Sequence, residues 1–147
     1  MANMVNSNTS QRFIAIQTGV SNVTGNGTVY QTVYSSLTQG SGFVIASGVF
    51  TCTVPGTFLF CAIPSVTSLN SSATTAVFNL VTTQRTYTFA NFNAGALRSQ
   101  ASVGTMGGYV IAPMAANDTA KLTVQVSGTT LSIGFGNGCT FQATRLF

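Results

Sequence analysis

Residues 48 to 63 read GVFTCTVPGTFLFCAI, with aromatic, thiol and apolar side chains alternating with threonines on both sides of one Pro-Gly pair. In FTCTV the side chains of Phe50, Cys52 and Val54 share a face. In TFLFCAI the set Phe58, Phe60 and Ala62 alternates with Leu59, Cys61 and Ile63. A period of two places alternate residues on opposite faces of a β-strand. Pro55 pre-sets the first φ of a turn, and Gly56 accepts the positive φ that a type II turn needs next. The stretch reads as a bend between two buried strands.

The same period recurs along the chain, and helical periodicity is nearly absent. TAKLTVQV (119–126) puts Leu122, Val124 and Val126 on one face, and Lys121, Thr123 and Gln125 on the other. Ser127-Gly128-Thr129 reads as a hairpin connection into the next strand. CTFQATRLF closes the chain as a strand pinned inside a sheet. RFIAIQ, TVYQTVYSS, GFVIASGVFTCTV, TFLFCAI, TAVFNLVTT, TYTFANF and GGYVIAPM are further candidates, with turns at TGNGT, TQGSG, VPGT, TSLNSS and ALRSQASVGTMGG. About ten short strands at regular spacing predict an all-β fold, a single antiparallel sandwich or barrel. Residues 13–147 are expected to form that domain and residues 1–12 a polar N-terminal arm, of which residues 1–10 are expected to be mobile or ordered only by a neighbour. No composition break or internal repeat marks a second unit.

Forty-five per cent of the 147 residues are apolar and only 4% are charged, against roughly a quarter charged in an ordinary domain. The surface is left to Ser, Thr, Asn, Gln and Gly, which suits permanent association because few charges repel a neighbour. The five cations, Arg12, Arg85, Arg98, Lys121 and Arg145, form no run or stripe. Nucleic-acid binding, which needs clustered cations over successive phosphates, is not expected. A weak affinity for acidic surfaces stays open once three copies come together. No stretch approaches the roughly 20 apolar residues of a membrane helix, so membrane insertion is not expected. MANMVNSNTSQR followed by the short run FIAI lacks the form of a secretory leader, and the expectation is synthesis in a cytosol. The Asn-x-Ser/Thr sequons at Asn8, Asn22, Asn26, Asn70 and Asn117 are then expected to stay unmodified.

The inventory of reactive groups is short. There is no histidine, and Asp118 is the only acidic side chain. Ser-His-Asp and Cys-His catalysis need an imidazole, and glycoside hydrolysis usually needs two carboxylates. The Gly-rich segments match neither a P-loop nor a dinucleotide fingerprint. Cys52, Cys61 and Cys139 are odd in number and lack C-x-x-C spacing, and one chain cannot supply four zinc ligands. Each sits in an apolar strand, where a free cysteine behaves as a small buried hydrophobe. A Cys52–Cys139 or Cys52–Cys61 disulfide is the alternative, disfavoured in a cytosol. A calcium cage would need three copies of Asp118 around an axis. No enzyme activity, cofactor or metal is expected.

SGVFTCTVPGTFLF resembles the G-x-F-x-C-x-x-P-G-x-Y/F-x-F stretch of C1q/TNF-like domains, through Gly48, Phe50, Cys52, Pro55, Gly56, Phe58 and Phe60. GGYVIAPMAANDTAKLTVQV is similar to that family's strand, Gly-Asp turn and strand, with Asn117-Asp118 at the turn. CTFQATRLF resembles its closing S-x-F-x-G-F-L-L strand through Phe141 and Leu146, while Ala143 and Thr144 stand where Gly and Phe are usual. The resemblance covers roughly residues 28–147. It implies a ten-stranded jelly roll assembled as a homotrimer, with Phe50, Phe58, Phe60, Leu122, Val124 and Phe141 filling the core or the trimer axis. The sequence holds no collagen-like G-x-y stretch, so the secreted roles of animal members are not expected here. Stalkless jelly-roll trimers also resemble virion components such as capsid-decorating, vertex or fibre-head proteins. The expected function is a structural virion protein docked on neighbouring capsid or surface-layer proteins through the arm. The alternative is a recognition head binding host glycan or a protein receptor through loops, with Tyr87, Phe92, Asn93 and Arg98 as contacts.

Overall fold

The computed structural model describes residues 11–39, 43–97 and 99–147, with 35–39 described by backbone alone. The expected arm thus lies, through residue 10, outside the described residues. So does Arg98.

Fifteen strand segments and one short helix follow in order: β1 Arg12–Gln17, β2 Val20–Thr24, β3 Val29–Gln31, β4 Tyr34–Gln39, β5 Phe43–Ala46, β6 Val49–Cys52, β7 Gly56–Ile63, β8 Ser65–Thr67, β9 Ala76–Thr82, β10 Thr86–Phe92, α1 Ala94–Leu97, β11 Gly104–Thr105, β12 Gly108–Met114, β13 Thr119–Val126, β14 Ile133–Phe135 and β15 Thr140–Arg145. All pairings among them are antiparallel. One sheet runs β12-β7-β15-β1-β4, and a second runs β10-β9-β13-β6-β5 with β3 also beside β13. A third, β11-β8-β14-β2, repeats the strand order of the first. It is that sheet continued past a line of breaks at residues 18–19, Pro64, 106–107 and 136–139.

The breaks have local causes. Pro64 has no N–H to donate. Asn137 accepts the Gly19 N–H through Oδ1 at 2.5 Å, and Gly138 takes a φ of 75°, open to glycine without strain. Counting β1/β2, β7/β8, β11/β12 and β14/β15 as single interrupted passes leaves eleven, since β3 lies beside β13 in the second sheet and β4 beside β1 in the first. The fold is a jelly-roll sandwich.

Two turn expectations are corrected. Gly56 is not among the glycines of positive φ; it already belongs to β7, so no type II turn forms. Glycine is needed there for space: a Cβ would come 2.8 Å from the Phe147 carbonyl oxygen and into the Arg145 side chain. Arg145 Nη2 donates to the Pro55 carbonyl at 2.7 Å, so the bend is a seat for that arginine. The second correction concerns Ser127-Gly128-Thr129, which joins no hairpin. β13 lies in the second sheet while β14 pairs β2 and β8, so the segment crosses between layers. Gly128 has a φ of 91°, and Thr129 N–H donates to the Gly25 carbonyl at 3.0 Å.

Two apolar clusters fill the sandwich. The first holds Phe13, Phe43, Phe50, Phe58, Phe60, Leu80, Leu122 and Phe141; the second holds Leu69, Phe78, Val124, Val126, Ile133 and Phe135. β9 and β13 serve both, with Leu80 opposite Leu122 in one and Phe78 opposite Val124 in the other. Phe50 sits between the layers, 5.3 Å from Phe13, 5.5 Å from Phe43 and 5.6 Å from both Phe58 and Phe60, centroid to centroid. Edge-to-face and tilted rings at such distances add attraction beyond burial.

Replacing Phe50 by Ala is expected to cost about 3–5 kcal/mol, read as a lowered urea midpoint with unchanged slope. Phe50→Leu should recover more than half of the loss.

Candidate functional site

Three strands of the five-stranded sheet, β1, β7 and β12, carry apolar side chains on both faces. In β1, β7 and β12 one set (Phe13 and Ala15; Phe58, Phe60 and Ala62; Ala112 and Met114) is buried against the second sheet. The other set points outward, and the register assembles it into rows. Tyr109 lies opposite Cys61, Cys61 opposite Gln142, and Gln142 opposite Ile14. Ile111, Leu59, Thr144 and Arg12 form the next row, and Ile63 faces Thr140 and then Ile16. Tyr109 is 73% exposed, Ile111 54% and Ile63 50%. Among the described residues of these rows, Arg12 at the margin is the only charge. The exposed apolar side chains of β7 and β12 stand side by side, and Thr140, Gln142 and Thr144 of β15 separate them from Ile14 and Ile16 of β1.

The outer face of the second sheet differs. Its rows read Gln31, Thr123, Asn79 and Thr88, then Val29, Gln125, Val77 and Asn91, then Val49, Lys121, Val81 and Thr86. Thr88 Oγ1 donates to Asn79 Oδ1 at 2.9 Å. Amides and hydroxyls alternate there with valines.

Phe50, Phe58, Phe60, Leu122, Val124 and Phe141 are all at most 1% exposed within one protomer. They fill the core and have no surface left for an axis between subunits. The residues that remain available, Tyr109, Ile111, Ile63 and Ile14, were not singled out in the sequence. Their signal is present nonetheless: RFIAIQ, TFLFCAI and GGYVIAPM are apolar at both alternating sets, and a two-layer sandwich buries only one.

The residues expected at loop contacts are not gathered into one site. Tyr87 and Phe92 lie at opposite ends of β10. The Arg85 guanidinium stacks 4.5 Å from the Tyr87 ring centroid, and Phe92 packs on Phe78 at 5.7 Å. Asn93 uses Oδ1 to accept the Ala96 N–H at 3.1 Å, capping α1. The surrounding loops do meet at one end of the sandwich. Leu69 N–H donates to Ser102 at 2.9 Å, Gly95 N–H to Ala73 at 3.0 Å, and Asn70 Nδ2 to Thr129 Oγ1 at 2.9 Å. At the other end lie the start of β1, the Pro55 bend, the turn before β13 and the end of β15.

Asp118 is 8% exposed, and its Oδ2 accepts the Ala115 N–H at 2.9 Å and the Gln84 amide at 3.1 Å. It closes the β12–β13 turn, in which Asn117 takes a φ of 70°. The three thiols are free. Cys52 donates to the Val54 carbonyl at 3.1 Å and Cys139 to that of Gly136 at 3.2 Å, each serving irregular backbone beside a break. Burial pushes all three thiols up, and burial likewise pushes up the Tyr34 phenol, whose hydroxyl meets Thr32 Oγ1 at 2.5 Å.

No family model and no curated protein sequence matches the chain. Among solved structures it is similar to the globular domain of zebrafish complement 1qA protein, at 14% identity over 94% of this chain and 98% of that one, with a TM-score of 0.62. It is also similar to murine APRIL, at 10% identity over 93% and 98% with a TM-score of 0.60 at pH 8.5, and at 9% identity over 93% and 99% with a TM-score of 0.62 at pH 5.0. At these identities the likeness is one of fold. The chain carries a C1q/TNF-like jelly roll.

These raised pKa values set the alkaline limit of stability. A neutral thiol or phenol is favoured by the folded state, so its contribution is complete below the unfolded pKa and is lost as pH rises through the folded one. With no histidine and one carboxylate, the denaturation midpoint should stay flat through the neutral range. It should fall above about pH 9, where unfolded thiols ionise. Midpoints measured at pH 6, 7.5 and 10 check this.

Proposed function

We propose that the chain is a non-enzymatic structural protein that forms a homotrimer through the outer face of its five-stranded sheet and is built into a virion beside capsid or surface-layer proteins. The exposed apolar rows around Tyr109, Ile111 and Ile63 carry the assembly half of this reading. Burying them removes apolar area from water at roughly 25 cal/mol per Å², and the Thr and Gln side chains between them are cheaper to bury than charges. The fold likeness to the complement domain supports the same arrangement. The virion half rests on the charge-poor surface, which suits permanent packing, and on the family resemblance. The absence of histidine and the structural use of Asp118 support a role without catalysis.

Light scattering at micromolar concentration should give three times the 15.2 kDa chain mass. The double variant Tyr109→Lys/Ile111→Lys should run as a folded monomer with near-normal circular dichroism. A monomeric wild type overturns the assembly, and loss of particle incorporation in that variant supports the virion role.

The gathering of the loops around Asn70, Ser102 and Thr129 at one end favours a second reading, a head that binds host glycan or a protein receptor there. A glycan array probed with the purified assembly should show one saccharide class bound specifically if this holds, and no specific binder if the role is structural alone.

A further inference from the structure

We infer that the end of the sandwich where β1 begins is an electrostatic docking face for an acidic protein surface. In the sequence the cations look scattered; the fold sorts them. Arg12 opens β1 opposite Thr144, and Arg145 closes β15 opposite Phe58. Arg85 stands in the turn between β9 and β10, and Lys121 is the third residue of β13. Asp118 occupies the turn before β13. Every charged side chain among the described residues is therefore at one end. The remaining cation, Arg98, follows α1 and lies outside the described residues.

Among the described side chains, four cations at this end stand against the single carboxylate of Asp118, a side-chain balance of +3. That carboxylate is turned inward onto the Ala115 N–H and the Gln84 amide. Arg12 and Arg85 are exposed, and the Tyr87 ring holds the Arg85 guanidinium in place by a cation–π contact. Elsewhere a charge-poor surface offers little to cancel the field, so the whole end attracts anions.

The spacing favours a protein partner over nucleic acid. Arg12 projects from the outward face of the first sheet and Lys121 from that of the second, with Arg85 in the β9–β10 turn, so Arg12 and Lys121 stand farther apart than the roughly 10 Å between packed sheets. A phosphate backbone is gripped by cations in a close track. Separate Asp and Glu side chains on a folded surface match this wider spacing, and such complementarity sets register and encounter rate. The inference names the chemistry of the docking partner proposed above. It stands without the trimer, at the margin of whose proposed face Arg12 lies.

The test uses the full chain on immobilised poly-L-glutamate, with duplex DNA and uncharged dextran as parallel surfaces. Binding to polyglutamate at about 50 mM salt and release by about 500 mM are expected, because exposed pairs are screened over that range. The triple variant Arg12→Gln/Arg85→Gln/Lys121→Gln should bind at least about tenfold more weakly. Arg98→Gln should bind as the wild type does. Arg145 is left in place because it holds the Pro55 bend. The single exposed-site variants Arg12→Gln and Arg85→Gln should each lose part of the affinity, which keeps the test decisive if the triple variant misfolds. No binding at low salt overturns the proposal, as does an equal loss in Arg98→Gln or tighter binding to DNA than to polyglutamate. Light scattering on the same samples reads the trimer separately, so a monomer that binds polyglutamate overturns only the assembly.

Discussion

Phe50 holds the two layers of this sandwich together. Its ring lies on β6 of the second sheet and meets Phe58 and Phe60 of β7 and Phe13 of β1 in the first, with Phe43 beside it. The chain passes from one layer to the other between Cys52 and Gly56, so the strands carrying these rings are joined by a crossing of three residues. Arg145 closes that crossing from outside through the Pro55 carbonyl. The last strand, the bend and the aromatic centre form one unit, and the five-stranded sheet takes its place from it.

A protein with so few charges must satisfy its buried backbone by other means. Thr24 Oγ1 donates to the Thr28 carbonyl at 2.6 Å and accepts the Val126 N–H at 2.8 Å. Thr32 Oγ1 donates to the Leu122 carbonyl at 3.2 Å. Cys52 and Cys139 do the same at the two irregular stretches they border. Neutral donors of this kind avoid the desolvation cost of buried ions. The charges that exist are left at one end of the molecule.

Much of the layout was legible in the sequence because each strand carries its own period. TAKLTVQV is β13 from first residue to last, and each of the ten strand candidates falls on a strand of the fold, while β2, β8 and β11 have no candidate of their own. GFVIASGVFTCTV read as one candidate and holds two strands, since Ser47-Gly48 turns with φ values of 49° and 78°. The Gly56 turn and the Ser127–Thr129 hairpin were misjudged for a common reason. Local residue types report which backbone angles are allowed, whereas the partner of the next strand is chosen by distant residues. For Gly56 the deciding neighbours are Arg145 and Phe147, about ninety positions away in sequence.

The outward apolar rows were hidden for a different reason. In GGYVIAPM both alternating sets are apolar, and nothing local says that Ala112 and Met114 face the core while Tyr109 and Ile111 face outward. That choice depends on which set meets the Phe58–Phe60 side of β7. Strand content, an all-β class, the aromatic core and the scarcity of acid–base side chains were determined by the sequence alone, since each follows from residue types and their period. The sheet order, the outward turn of Tyr109 and Ile111, and the gathering of Arg12, Arg85, Lys121 and Arg145 at one end were decided only by the tertiary structure. Each of these depends on antiparallel register between strands far apart in the chain.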